Sequence, residues 1–347
     1  MCKINIRNAP QIFWGFFLYV NLLMNMKLNR LVIVVFVLIT SAYAQEVIGN
    51  GLAGNQLFNF LVDNYKPSTI LGYNSARDTL YLRIDRQEGD VKCVYTEFAL
   101  NLPNGVDPSS YLYNNGLGID CEHVWPQSMY DEDGVAGNPM KSDMHHLRPA
   151  KSNVNSSRGN KPYNDIADQY TNTWYWLSYQ QSNIPTSNID RYSESGSSYF
   201  EPRESVKGDL ARSVFYFYTM YKDVANQSFF ASQINTIREW HSTDPPDEEE
   251  IERTIRIAAY QDNLANPYII DPTLVERVFF PEDLISVGDI NNDGVLNVLD
   301  VVIAINMIIS GQEPTQNDVD ILDFNDDGVI NILDIVQLIN IIILVGE

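Results

Sequence analysis

Apolar and polar positions alternate in several rhythms along this 347-residue chain, and each rhythm predicts an element. Residues 79–84 and 92–98 alternate with a period near two, which predicts strands. Residues 165–180 and 210–221 carry helix-like apolar spacing, and residues 251–261 predict a further helix. That last helix follows the acidic run 244–250, whose charge suits a helix N-terminus. Residues 182–198, rich in Ser, Asn and Gly, predict a surface loop. Strands and helices do not alternate regularly, so the fold class expected for residues 45–281 is α+β, not a parallel βαβ sheet.

Two apolar runs lie near the N-terminus, 12–24 and 31–39. From Met26 the chain reads MKLNRLVIVVFVLITSAYA. Two basic residues, the second apolar run and the Ala42-Tyr43-Ala44 site predict a signal peptide over 26–44 with cleavage after Ala44. The expected location is therefore extracellular or periplasmic. Residues 1–25 read as an extension ahead of a true start at Met26. A membrane anchor is the competing reading, but each run is shorter than the ~20 residues a span needs. Export leaves Cys93 and Cys121, and exported cysteines tend to pair. One disulfide is expected, closing a loop of about 28 residues and contributing about 3 kcal/mol.

The last sixty residues repeat. GDINNDGVLNVLDVVIAINMII, from Gly288, is echoed by LDFNDDGVINILDIVQLINIII, from Leu322. Side-chain oxygens fall at loop positions 1, 3, 5, 9 and 12: Asp289, Asn291, Asp293, Asn297 and Asp300, then Asp323, Asn325, Asp327, Asn331 and Asp334. Gly294 and Gly328 hold position 6, where a calcium loop turns sharply, and Val295 and Val329 would give backbone carbonyls at position 7. Two Ca2+ ions are the expected cofactors. Asp instead of Glu at position 12, with an apolar helix after each loop, resembles a type I dockerin domain over 286–347. That resemblance implies a small all-α module and a cohesin-like protein partner. The residues at positions 10 and 11 are apolar (Val298-Leu299, Ile332-Leu333), so either a different partner or an internal packing surface stays open.

Charge narrows the choices further. The net charge is -22, and residues 278–347 hold 13 acids with no base. A nucleic acid would not be drawn by the field of the whole chain, so any such contact needs a local patch or a metal. One locally basic segment exists: SDMHHLRPAKSNVNSSRGNKPY, from Ser142, has Arg148, Lys151, Arg158 and Lys161 against Asp143 alone. Pro149 suits the first turn of a helix and Gly159 its end. On that expected helix Lys151, Asn155 and Arg158 share one face.

Some twenty residues upstream lies CEHVWPQS, from Cys121, with a carboxylate beside an imidazole. Phosphodiester cleavage needs an activated water and neutralisation of charge on phosphorus. A neutral imidazole takes the proton of water, and a divalent cation held by a carboxylate and an amide oxygen binds the phosphate oxygens. Glu122 and Asn155 are the candidate ligands for Mg2+ (or Mn2+ or Ca2+), with His123 the candidate base. Lys151, Arg158 and Lys161 are candidate phosphate contacts, and Arg158, as a phosphate clamp, is a candidate catalytic residue beside His123. Glu122 and His123 are neighbours, so a regular strand would point them to opposite faces; the strand must bulge or end there, and Pro126 favours an end.

These residues resemble the endonuclease I family of the ββα-metal, or His-Me finger, nucleases. The resemblance rests on EHVWPQS and DMHHLRPAKSNVNSSRGN, with FEPRESVKGDLARSVFYFYTMY from Phe200, EWHSTDPPDEEEIERTIR from Glu239 and NPYIIDPTLVERVF from Asn266. It covers about residues 50–280. It implies a ββα core with added helices, His123 as general base, Glu122 and Asn155 as metal ligands, and sequence-nonspecific cleavage of DNA and often RNA to 5′-phosphates. QDNLANPY from Gln261 departs from the family's usual QGNRNPF. The competing reading is an extracellular scaffold or adhesion component, acting through its dockerin-like tail with an inactive nuclease domain. A zinc peptidase using His145 and His146 is disfavoured, because adjacent histidines do not share a helical face. His241 is expected to be non-catalytic, and Trp174 and Trp176 to belong to the core.

Overall fold

The computed structural model describes residues 47–49, 52–131, 138–281, 287–291, 296–311 and 313–345. The expected leader, 26–44, and the extension ahead of it lie outside the described residues, as do Asp293, Gly294 and Val295 of the first expected calcium loop.

Helix α1 (Gly54–Tyr65) buries Leu57, Phe58 and Leu61, a helical spacing of apolar residues. Helix α2 (Tyr73–Thr79) runs directly into a wider helical turn, Leu80–Ile84. This corrects the strand expected at 79–84. Leu80, Tyr81 and Ile84 are all buried, a set that one helical face holds and one strand face does not. Strands β1 (Arg86–Gln87), β2 (Asp90–Lys92) and β3 (Ala99–Asn101) follow as an antiparallel meander. Glu88 and Gly89, both at positive φ, make the tight β1–β2 turn. The expected strand 92–98 therefore breaks: the chain leaves β2 at Cys93 and doubles back through Glu97 at φ 59°. Cys93 then donates to the Phe98 carbonyl.

Strand β4 (Ile119–His123) pairs antiparallel with β5 (Leu147–Lys151), setting Glu122 opposite Arg148 and His123 opposite Leu147. Helix α3 (Ser152–Arg158) follows β5 at once. Pro149 thus sits in a strand, not in the first turn of a helix. It is tolerated because its carbonyl accepts from Val94 N and it has no N–H to leave unpaired. Strands β6 (Thr173–Trp176), β7 (Tyr179–Gln181), β8 (Ser193–Ser195) and β9 (Phe200–Glu201) form a sheet of order β7-β6-β8-β9. The helix expected at 165–180 is replaced by this hairpin. The aromatic run Trp174-Tyr175-Trp176 suits a pleated surface, and Leu177 at φ 52° turns the chain. The expected loop 182–198 contains β8, which is buried throughout.

Helix α4 (Lys207–Met220) is the axle of the core, with Asp209 its one residue that is not buried. Helix α5 (Ile234–Thr243) packs along it. Helix α6 (Glu248–Ala258) starts at Asp247, whose side chain accepts from Glu250 N, and Glu248, Glu249 and Glu250 fill its first turn. Helix α7 (Leu274–Phe279) closes on α1. In the tail, α8 (Val298–Ser310), α9 (Gln316–Leu322) and α10 (Ile332–Val345) enclose a small core of Leu296, Val301, Ala304, Leu322, Ile335 and Leu338. The architecture is α+β, a β4–β5–α3 unit with added helices and small sheets followed by an all-α module. Among the described residues no helix is long and apolar enough to cross a membrane.

Candidate active site

Glu122, His123 and Asn155 line one cavity of about 510 Å3, together with Tyr73, Asp120, Gln127 and Asn160. The topology explains how two neighbouring residues of a strand reach it. His123 is the last residue of β4, and the chain bends immediately, at Val124 and Trp125. Trp125 then anchors the turn: it is buried, and its ring stacks on Phe217 of α4 at 4.9 Å between centroids.

The protonation state of His123 follows from its partners. Nε2 lies 3.1 Å from the Lys141 carbonyl, which only accepts, so Nε2 carries the hydrogen. Nδ1 is then the bare nitrogen, facing the Gln127 amide at 3.3 Å. Tyr73 stacks on the imidazole at 5.4 Å. Burial, and the His146 imidazole after it, push His123 down to about 3, so the ring is neutral.

Glu122 is 2% exposed, and its environment is split. Burial pushes the carboxyl up to about 7, against the pull of Arg158 and Tyr95, and Asp120 adds a further upward push. Tyr95 donates to Oε1 at 2.8 Å, and Arg158 Nη1 stands 3.5 Å from the same oxygen. Asn155 donates its Nδ2 to the Cys121 carbonyl at 3.3 Å, which leaves Oδ1 for the cavity. A carboxylate and an amide oxygen lining the same cavity are a hard-oxygen donor set, and they fit a magnesium-type cation that keeps most of its water. Glu122 and Asn155 are the residues that would hold it. Among the described residues no three His, Cys, Asp or Glu side chains gather as a metal cage.

The expected phosphate contacts are placed elsewhere. Arg158 is fully buried, with Nη2 donating to the Val124 carbonyl at 2.6 Å, Nη1 donating to the Gly159 carbonyl at 3.2 Å and standing 3.5 Å from Glu122 Oε1. It is a counter-ion beneath the site, not a clamp within it. Lys151 precedes the first turn of α3 and donates to Asn153 Oδ1 at 2.9 Å. Lys161 donates to Ser195 Oγ at 2.7 Å. None of the three lines the cavity. His145 and His146 are buried and bonded to the Leu264 and Met140 carbonyls. His241 likewise meets the Pro272 carbonyl. Trp174 is fully buried, as expected of a core residue; Trp176 is half-buried and reaches Glu97. Lys207 is taken by Asp165, Glu201 and Glu204, and Arg212 by Glu250 and Asp209.

Cys93 and Cys121 are both free and buried, which corrects the expected disulfide. Strand β5 runs between them. Cys121 faces Pro149 across the β4–β5 ladder, while Pro149 O and Lys151 N are bonded to Val94 N and Cys93 Sγ on the other side. Two strand spacings amount to ~9–10 Å, beyond the ~7 Å that a disulfide spans between Cα atoms.

Sequence reasoning missed Tyr73, Tyr95, Gln127 and Tyr163. Gln127 stands within CEHVWPQS and was open to notice. Asp120 was also legible, two residues before Glu122 and so on the same strand face. Nothing local marks Tyr73, Tyr95 and Tyr163, which lie 49, 27 and 41 residues away from Glu122.

In the second loop of the repeat the acidic side chains are held by backbone amides. Asp323 accepts from Asp327 N at 3.2 Å and from Gly328 N at 2.8 Å, and Gly328 turns at φ 79°. Asp334 reaches back from α10 to Phe324 N and Asn331 N. Val329 O receives the Asn331 amide. In the first loop, Asp300 caps α8 through Asn297 N, and Asp289 and Asp300 are buried.

Comparison with known proteins matches residues 52–273 to the model of the Endonuclease I family. The chain belongs to the endonuclease I family. Residues 287–343 match the dockerin type I domain. Curated relatives include an extracellular ribonuclease of Bacillus amyloliquefaciens, 31% identical over 172 residues, which is 46% of this chain and 53% of the relative. An extracellular ribonuclease of Bacillus subtilis gives the same identity and coverage. The chain spans about half the length of the curated relatives it matches. Endonuclease I membership and a dockerin module thus share one polypeptide.

Proposed function

We propose that this protein is a secreted, metal-dependent endonuclease that hydrolyses phosphodiester bonds of DNA, and of RNA, without sequence preference, leaving 5′-phosphate ends. The convergence of His123, Glu122 and Asn155 on one cavity carries the reading. With Nε2 tied to Lys141 O, His123 takes the proton of a cavity water at Nδ1 once that water displaces the Gln127 amide, which donates to Nδ1 at 3.3 Å. A base held so low binds a proton weakly by itself. The negative charge of a bound phosphodiester raises that affinity, since an opposite charge favours the charged imidazole. Glu122 and Asn155 hold the cation, which when bound supplies Lewis-acid stabilisation of the phosphate oxygens. Gln127 orients His123, and Arg158 stays behind Glu122.

RNA is included because the curated relatives are named ribonucleases, and secretion because they are named extracellular. With a net charge of -22 the protein does not steer a polyanion from afar, so affinity is made at the cation and the cavity. The nuclease unit is taken as 45–281 and the dockerin unit as 286–347. The tail binds two Ca2+ and docks a cohesin-like protein. Val298, Leu299, Ile332 and Leu333, at the paired positions, are exposed.

Plasmid nicking and RNA cleavage by the wild-type protein and by His123→Ala test the reading. Cutting that needs magnesium or manganese and falls by ~10²–10⁴ in the variant is expected. A wild-type protein that cuts neither substrate with either metal refutes it and leaves the scaffold reading.

A further inference from the structure

Glu122 is gripped from behind by a chain of buried donors. Tyr95 gives its hydroxyl hydrogen to Glu122 Oε1 at 2.8 Å. That hydrogen is used once, so in the 2.7 Å contact between the Tyr95 and Tyr163 hydroxyls the donor is Tyr163. Arg158 Nη1 approaches the same Oε1 at 3.5 Å, and its guanidinium lies over the Tyr163 ring at 4.8 Å. Tyr95, Tyr163 and Arg158 are fully buried. Phe200 packs edge-on against Tyr95 at 4.8 Å, and the Tyr163 ring lies between Arg158 and Trp240, the latter 5.9 Å away, with Gln233 Oε1 holding the Tyr163 backbone N at 3.1 Å. Every one of these contacts falls on Oε1. Among the described residues Oε2 has no hydrogen-bond partner, and Glu122 lines the cavity.

We propose that Tyr95 and Tyr163 are positioning residues that lock Glu122 so that a single carboxylate oxygen meets the cation. The proposal rests on Glu122 being a metal ligand. One-oxygen binding suits a small octahedral ion that keeps its waters. Calcium takes six to eight oxygens and gains from carboxylates that bind with both. The clamp therefore favours magnesium and manganese over calcium in this cavity, while the tail loops keep calcium. Releasing Oε1 lets the carboxylate rotate and accept calcium on better terms. Partners behind a metal ligand set its orientation, and their loss weakens metal binding about 10–100-fold.

The test is Mn2+ binding to the full chain, read by electron paramagnetic resonance without substrate. Wild type, Glu122→Gln, Tyr95→Phe and Tyr163→Phe are compared. Glu122→Gln removes the cavity's ion and leaves those of the tail, so the difference isolates the cavity. Tyr95→Phe keeps the ring and its packing, and is expected to weaken that ion about 10–100-fold. Tyr163→Phe shifts it in the same direction by less, and serves alone if Tyr95→Phe does not fold. Displacement of Mn2+ by Mg2+ and by Ca2+ gives the selectivity, a readout that plain loss of stability would not move. It is expected to fall in Tyr95→Phe. If Glu122→Gln keeps every ion, the ligand reading fails and the clamp with it. If Glu122→Gln loses one ion while both tyrosine variants bind and discriminate as wild type does, the clamp alone is overturned.

Discussion

Replacing Arg158 by Met separates two roles for that residue. As a phosphate clamp it would act on substrate, and its loss would leave folding untouched. The geometry makes it a buried counter-ion instead. Arg158 and Glu122 are 0% and 2% exposed, with Nη1 3.5 Å from Oε1. Nη2 also holds the Val124 carbonyl at 2.6 Å, just past the end of β4. Met fills the aliphatic volume but leaves a buried carboxylate and a carbonyl without their cation. Removing one partner of a buried ion pair costs about 3–5 kcal/mol. For a unit of this size each kcal/mol lowers Tm by about 2–4 °C, so a drop of roughly 6–20 °C is expected in scanning calorimetry. The cost is not intrinsic to Met, because Glu122→Gln removes the orphaned charge. The double variant should recover part of the loss, with a coupling of about 1–3 kcal/mol. Arg158→Lys should sit between, since an ammonium cannot bridge Glu122 and Val124 O together. An Arg158→Met protein that melts within 2 °C of wild type and loses only substrate affinity would refute the counter-ion argument.

Other outcomes follow from the same geometry. Reductant should leave Tm unchanged, and Cys93 and Cys121 should both react with a thiol reagent in denaturant; a reductant-dependent melting temperature would contradict strand β5 lying between them. Burial holds His241 down at about 4 while its unfolded value is near ~6.5. The unfolded chain therefore binds the extra proton between those values, and stability falls as pH drops from ~6.5 to ~4, by roughly 3 kcal/mol. His241→Gln should flatten that part of the pH–stability curve, and an unchanged slope would count against it. Chelating calcium should remove far-ultraviolet helix signal contributed by α8 and α10, because loop ligation and folding are linked. An identical spectrum with chelator would argue against metal-dependent folding of the tail.

Two kinds of pattern reached the right answer from sequence. The dockerin module was legible because its pattern is local: a twelve-residue loop with a turn glycine, repeated at a spacing of 34, carries its signature in the order of its residues. The helix over 210–221 was legible because α4 is buried nearly all round and its apolar run is long. Shorter segments fared worse. Residues 79–84, expected as a strand, wind as a helix, and 165–180, expected as a helix, open into a hairpin, since short apolar runs fit either period until neighbours choose.

The chain order alone placed Glu122 and His123 side by side, put Asn155 on the following helix and marked the dockerin loops. Those are covalent facts, and motif spacing preserves them. The tertiary structure decided where each charge went. Arg158 was drawn beneath Glu122 because a buried carboxylate is costly without a cation, and the arginine that begins a segment downstream as a surface candidate ends as its partner. Lys151 and Lys161 turned to Asn153 and Ser195. The cysteines were parted by β5, whose place between them depends on a proline carbonyl bonding to Val94. Tyr95 and Tyr163 entered the site from distant segments. Which polar groups meet in a core is set by long-range packing, and desolvation then forces each of them to find a partner.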